Sequence, residues 1–372
     1  MDCNSRRLVA DERWRKRGHS LGGVHRHEGY ATAADRGNRR PHAATGKRLG
    51  AVASRDQALN AERLISKIKY AMSKTIRRTV GIAAVVGVAL LLLPALLFAW
   101  GEVGHRLIGE AAAISMPSST PAFFRNAAKQ LGYLNPEPDR WRDRTESTID
   151  PALDRGTASD HFIDVEMASP AVLVQALKAR DRYGYYDTLT AAGVKAYTMG
   201  FLPFAILEGA QKLRIDFRAW RSAPDSIKPW IEQRIIDDAG IVGHFAADAS
   251  NPAHTTVHYN GWTGPNPSGY ATDNRFHSRF ESAYVGANFK LTDLTSRLDT
   301  VARVLPDLRA AIVQYIKDSN AQVERMYQLD KAHPFDATTT APENRAFASE
   351  RLVAGAKMLR DIWWTAWVTS AR

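Results

Sequence analysis

The chain has a single cysteine, Cys3, in 372 residues, and residues 100–372 contain none. Without thiols, that stretch forms no disulfide, thiolate metal ligand or cysteine nucleophile. Any metal site in it must be built from His, Asp and Glu. Strand-like alternation is also scarce there, and no internal repeat is visible. A basic excess is missing too. The whole chain carries a formal net charge of +11, but residues 1–99 hold 19 Lys/Arg against 7 Asp/Glu, a net of +12, which leaves the remainder at −1. An electrostatic footprint for a polyanion must lie on the folded domain, so this basicity says nothing about what 100–372 binds.

Residues 1–71 are rich in Arg, Gly, His and Ala and lack sustained apolar periodicity. Such a segment buries no core and is expected to be disordered. From Met72 the character changes: "MSKTIRR" is a basic n-region, Val80 to Leu93 an apolar h-region, and "LLFA" ends on a small residue before Trp100. These parts in this order describe a signal peptide over 72–99, cleaved before Trp100, with translation beginning at Met72 and a secreted or periplasmic product. The alternative is an uncleaved membrane anchor over 80–99, since about 20 apolar residues span a bilayer.

Through 100–372 apolar residues recur at spacings of three and four, which predicts one all-α domain. Helical stretches are expected at "EVGHRLIGEAAAIS", "LPFAILEGAQKLRIDFRAWR", "KPWIEQRIIDDAGIVGHFAADA", "NRFHSRFESAYVGA", "RLDTVARVLPDLRAAIVQYIKDSNAQVERMYQL" and "ENRAFASERLVAGAKMLRDIWWTAW". Pro203 and Pro229 fall near helix starts, where a missing N–H costs nothing. The stretch 259–274, dense in Gly, Pro and Asn, reads as a loop.

Seven histidines lie in 100–372: His105, His161, His244, His254, His258, His277 and His333. In "HFAADASNPAH", His244 and Asp248 are i and i+4, so both project from one helix face. Pro252 then breaks the helix and lets His254 turn back towards them. "HSRFE" repeats the spacing with His277 and Glu281. Imidazole with carboxylate, and no thiolate, is the ligand set of a catalytic rather than a structural zinc. The competing account of each pair is a surface His–carboxylate contact, which stabilises a helix by only a few tenths of a kcal/mol.

With these motifs the chain resembles the zinc-dependent single-strand nucleases of the S-one/P-one type, which share an all-helical, trinuclear-zinc fold with bacterial zinc phospholipases C. In that family the mature chain begins with a tryptophan whose amine and carbonyl bind zinc. The resemblance therefore implies ligands at Trp100 and His105 ("WGEVGH"), Asp143 ("WRD"), His161 ("HFID"), His244, Asp248, His254, His277 and Glu281. Asp143, His161, His244 and Asp248 would hold one zinc, Asp248 would bridge to a second completed by His105 and Trp100, and His254, His277 and Glu281 would hold the third. Three Zn2+ per chain are implied, with Asp143 also orienting the attacking water.

The implied activity is hydrolysis of single-stranded DNA or RNA, or of nucleotides, to 5′-phosphates by a monomer. Phe162 would stack on a nucleobase and Asp164 would hydrogen-bond it. Trp262 and Tyr270 of the 259–274 loop would form a substrate platform, or else pack on the helices beneath. The H-x3-E form of the last motif is that of the phospholipases, so a zinc phospholipase C acting on phospholipid is the alternative. A membrane-anchored, non-catalytic zinc protein is a third. The chain departs from the family at Ser250, where a histidine is usual, and Arg144 stands out of register for the arginine that follows the W-x-D motif.

Overall fold

A computed structural model describes residues 100–371. The leader, the signal peptide and the alternative anchor over 80–99 lie outside the described residues. Helix dominates those that are described, and their only β feature is a single bridge between Tyr259 and Gly261. No helix among them is long and apolar enough to cross a membrane.

Four long helices and one short one frame the centre. They are α1 (Gly101–Ile114), α2 (Ala128–Leu134), α3 (Leu202–Ser222), α4 (Lys228–Asp248) and α5 (Pro342–Thr369). Helix α3 lies along α4, α1 along α2, and α5 touches α1, α3 and α4. Each begins where its sequence permits. Pro203, Pro229 and Pro342 occupy first-turn positions, where the pyrrolidine fits and no donor is lost. Ile206, Ala210, Leu213 and Phe217 recur at four, three and four and are all buried, so α3 presents one stripe to the core. The last turns of α4 differ, because every residue from Val242 to Asp248 is buried. A helix end buried on all sides carries His244 and Asp248 into the interior as polar residues, and polar groups are placed there only when something satisfies them.

The stretch expected to be one helix over 297–329 is interrupted. Helix resumes at Leu308–Asn320, capped by the Asp307 carboxylate accepting from the Ala310 N–H, and again at Val323–Ala332. Residues 301–306 are not helical. Pro306 removes a donor, while the N–H groups of Arg303 and Leu305 donate to the side chains of Asp361 and Thr365 on α5, at 3.0 and 2.9 Å. Those long-range bonds replace the ones a helix would have made. "NRFHSRFESAYVGA" is helical from Phe276, with a widened π-type turn over Arg279–Tyr284. Such turns concentrate at functional sites, and this one carries Glu281.

Candidate metal centre

Three groups of imidazole and carboxylate form in the interior: Asp139 with His161 and His244, His105 with His244 and Asp248, and His254 with His277 and Glu281. The first two share His244. Asp248 faces both, its Oδ2 lying 3.2 Å from His161 Nδ1 and 3.2 Å from His244 Nε2, and its Oδ1 3.3 Å from His105 Nε2. Asp139 Oδ1 is 3.6 Å from His161 Nδ1 and 3.7 Å from His244 Nε2. In the third group Glu281 reaches His254 Nε2 at 3.3 Å and His277 Nε2 at 2.7 Å. Donor atoms around a tetrahedral zinc stand about 3.3 Å apart, given bonds of about 2.0–2.2 Å, so most of these spacings suit a shared ion. His277–Glu281 at 2.7 Å and His161 Nδ1–His244 Nε2 at 2.9 Å stand at hydrogen-bond distance.

The hydrogen bonding agrees with the spacing. Both oxygens of Asp139 and of Asp248, the Nε2 atoms of His105 and His254, and Glu281 Oε2 are buried without a hydrogen-bond partner. Opposed donors and acceptors that approach closely yet do not bond could be satisfied by a cation, and an orphaned buried polar group costs about 1–3 kcal/mol. Of the ring nitrogens facing away from the groups, those of His105, His244 and His254 are satisfied, while His161 Nε2 and His277 Nδ1 are buried without a partner. His105 Nδ1 and His244 Nδ1 bond the Asn135 side-chain and main-chain oxygens, both at 2.9 Å, and His254 Nδ1 bonds the His161 carbonyl. An Nδ1–H donated outward leaves the Nε2 lone pair free for a metal, the arrangement typical of ligating histidines.

Asn135 therefore orients two ligands at once, and Gly243 makes room for it: a Cβ there would lie 2.5 Å from Asn135 Nδ2. We expect Asn135→Ala, which removes the side-chain oxygen holding His105 but keeps the main-chain oxygen holding His244, to weaken metal retention in the His105 group about 10- to 100-fold. Retention in the third group should be untouched, as titration against a competing chelator would read.

Charge is distributed to match. Burial alone would raise the Asp248 carboxyl, but the imidazoles of His244, His254, His105 and His161 around it hold it well below the usual range. Burial pushes Asp139 up, against the pull of His161 and His105. Burial drives His244 down to about 3, outweighing Asp248. His254 goes the other way, to about 10, because Asp248 and Glu281 overcome its burial.

Asp143 is not in the centre. It is exposed at the N-cap of Arg144–Ile149, where its Oδ1 accepts from the Glu146 N–H at 2.9 Å, a role worth about 1 kcal/mol of helix stability. Asp139 stands in its place. The short helix Glu137–Arg140 turns Asp139 inward, 1 % exposed, and leaves Glu137 outside paired with Arg140. Arg142, not Arg144, lies three residues beyond the carboxylate; its N–H donates to the Asp139 carbonyl, and its cation pulls the Asp139 carboxyl down.

Trp100 is fully buried at the N-cap of α1 with φ 45°, and its indole N–H reaches Ala247 O at 2.8 Å and Ser250 Oγ at 3.0 Å. Ser250 thus anchors the tryptophan. Whether the Trp100 amine is free depends on the bond to Ala99, outside the described residues. Phe162 and Asp164 flank the buried Ile163, whose N–H donates to His254 O at 2.9 Å, so both side chains sit on a segment tied to the centre. Gly200, with φ 98°, packs so tightly on this segment that a Cβ would meet the Phe162 carbonyl at 2.0 Å. Trp262 and Tyr270 pack on Tyr327 beneath the loop instead of forming a platform. His258 stacks on Trp262 at 4.0 Å, and His333 is exposed beyond the helix Val323–Ala332. The chain matches no protein-family model, no curated protein and no solved structure with which it was compared.

Proposed function

We propose that the chain is a zinc-dependent phosphodiesterase, a nuclease that cuts single-stranded DNA or RNA to 5′-phosphates. The observation that carries this reading is the three adjoining groups of imidazole and carboxylate, built from eight residues of which only His277 is partly exposed. The His254–His277–Glu281 group offers three protein ligands, which leaves a coordination position open, the signature of a catalytic rather than a structural zinc. His244 Nε2, with one lone pair, serves one of the two groups it faces. Zinc at these groups would supply Lewis acidity towards a phosphoryl oxygen and a water of lowered pKa.

The chain's own residues supply the rest. Asp248 and His244 tie two of the groups together, and Asn135 fixes the rings. Arg142, whose exposed guanidinium pairs with Asp154 and whose charge is felt at Asp139, is placed to attract an anionic substrate. Asp164 is raised to about 7, first by burial and then by Glu166. A carboxyl that keeps its proton near neutrality can donate a hydrogen bond to a base edge while Phe162 stacks beneath it.

A second reading, a zinc phospholipase C, is favoured by one residue, the glutamate Glu281 at the end of H-x3-E. Zinc-loaded protein presented in parallel with single-stranded DNA, RNA and phosphatidylcholine separates the two. Nucleoside 5′-phosphates that vanish in His244→Ala support the nuclease. Phosphocholine supports the second reading, and no product from any of the three, with zinc bound, overturns both.

A further inference from the structure

The segment 255–263, which follows His254, is fastened at almost every residue. Asn320 Nδ2 donates to Thr255 O at 2.9 Å, Val257 N–H to Glu166 Oε2 at 3.2 Å, and Gly261 N–H to the Tyr327 hydroxyl at 3.0 Å. The same tyrosine hydroxyl donates to His258 O. Asn260 Oδ1 accepts from the N–H of His277 at 3.0 Å, which ties the segment to the third group. His258 and Trp262 are spent on each other, their planes 5° apart. Tyr270 is 6 % exposed and bonded to Glu324.

One aromatic side chain of this loop is left over. Tyr259 is 51 % exposed, its hydroxyl bonds none of the described residues, and its ring stands edge-on to His277 with centroids 5.9 Å apart and planes at 82°. A surface tyrosine on a free loop loses conformational entropy when it holds a ligand. Tyr259 has much of that ordering done in advance, by a backbone pinned on both sides. Gly261, two residues on, has φ 131°, a backbone conformation that favours glycine.

We propose that Tyr259 is the stacking residue for a nucleobase adjoining the scissile phosphate on the His254–His277–Glu281 side. This inference rests on the nuclease reading. The surroundings favour a base over an acyl chain: a phenol with a free hydroxyl, edge-on to the His277 imidazole, presents a flat face with polar edges rather than an aliphatic trough. Such stacking is indifferent to base identity, because every base has a π-face. It complements Phe162, which sits on the His161 segment, and it takes the role expected of Trp262 and Tyr270.

The test uses the full zinc-loaded chain, with Tyr259→Ala and Tyr259→Phe beside the wild type. The substrates are a single-stranded oligonucleotide and the same oligonucleotide made abasic at the positions flanking the cut. Tyr259→Ala is expected to raise KM on the base-bearing strand roughly 5- to 150-fold, to leave kcat and zinc content unchanged, and to leave the abasic strand unaffected. Tyr259→Phe should keep the wild-type KM. Equal losses on both strands, no loss on either, or zinc shed from the third group would each overturn the proposal, the last by making Tyr259 a mere brace for His277. Wild-type protein that cleaves phosphatidylcholine and neither oligonucleotide overturns the nuclease reading itself, and is told apart because it needs no variant.

Discussion

Asp139→Asn is expected to empty the group it shares with His161 and His244 and to cut hydrolysis at least about 1,000-fold, while Asp143→Asn changes neither. Asparagine fills the aspartate's volume but offers a neutral oxygen, so packing is conserved and the anionic ligand is lost. Removing one ligand from a three-ligand site should weaken binding by more than the 10- to 100-fold typical of an outer-sphere partner. The linked group should suffer as well, because His244 belongs to both. A catalytic ion contributes several kcal/mol to the transition state, and each 1.36 kcal/mol is about tenfold in rate. Asp143 faces solvent and caps a helix, and asparagine caps as well as aspartate. Zinc per chain after dialysis against a weak chelator, alongside the rate on single-stranded DNA, reads both variants. Zinc retained in Asp139→Asn and lost from Asp143→Asn would restore the W-x-D assignment and refute the geometry.

The confusion between these two carboxylates shows where the sequence is legible. His244/Asp248 and His277/Glu281 could be read because helical spacing encodes which face a residue takes, and both pairs do meet. Between 137 and 146 there are Glu137, Asp139, Asp143 and Glu146, and no helix is long enough to reveal its phase. Which acid points inward is decided by a single turn after Pro136 and by the packing of α2 on α4, both tertiary facts. Asn135 gave no signal, since a lone asparagine after a helix most often ends it. It is legible only in space, where it holds two imidazoles. The all-helical class followed from periodicity, whereas the break at 301–306 did not. Apolar spacing runs through it unperturbed, and what opens the helix is hydrogen bonding to Asp361 and Thr365, some 60 residues away.

Removing the metal should cost the fold more than any single substitution. A chelator at neutral pH is expected to lower the melting temperature by on the order of 20 °C or more, and added zinc should restore it. An ion bound only by the folded state stabilises it by about 4 kcal/mol when its free concentration is about 1,000 times its Kd. Three such ions rival the whole stability of a domain, about 5–15 kcal/mol, and for a domain this size each kcal/mol is worth roughly 2–4 °C. The apo interior then has to keep Asp139, Asp248 and Glu281 at 1 % exposure or less with most of their oxygens unpartnered, in contact with histidines that repel one another once charged. Magnesium should not substitute, because it prefers oxygen ligands and dehydrates reluctantly. His258→Ala, outside all three groups, serves as the control and should leave the chelator response unchanged. A melting curve that does not move when zinc is shown to be gone would mean that these carboxylates and imidazoles satisfy one another without an ion, and the metal centre would fall with it.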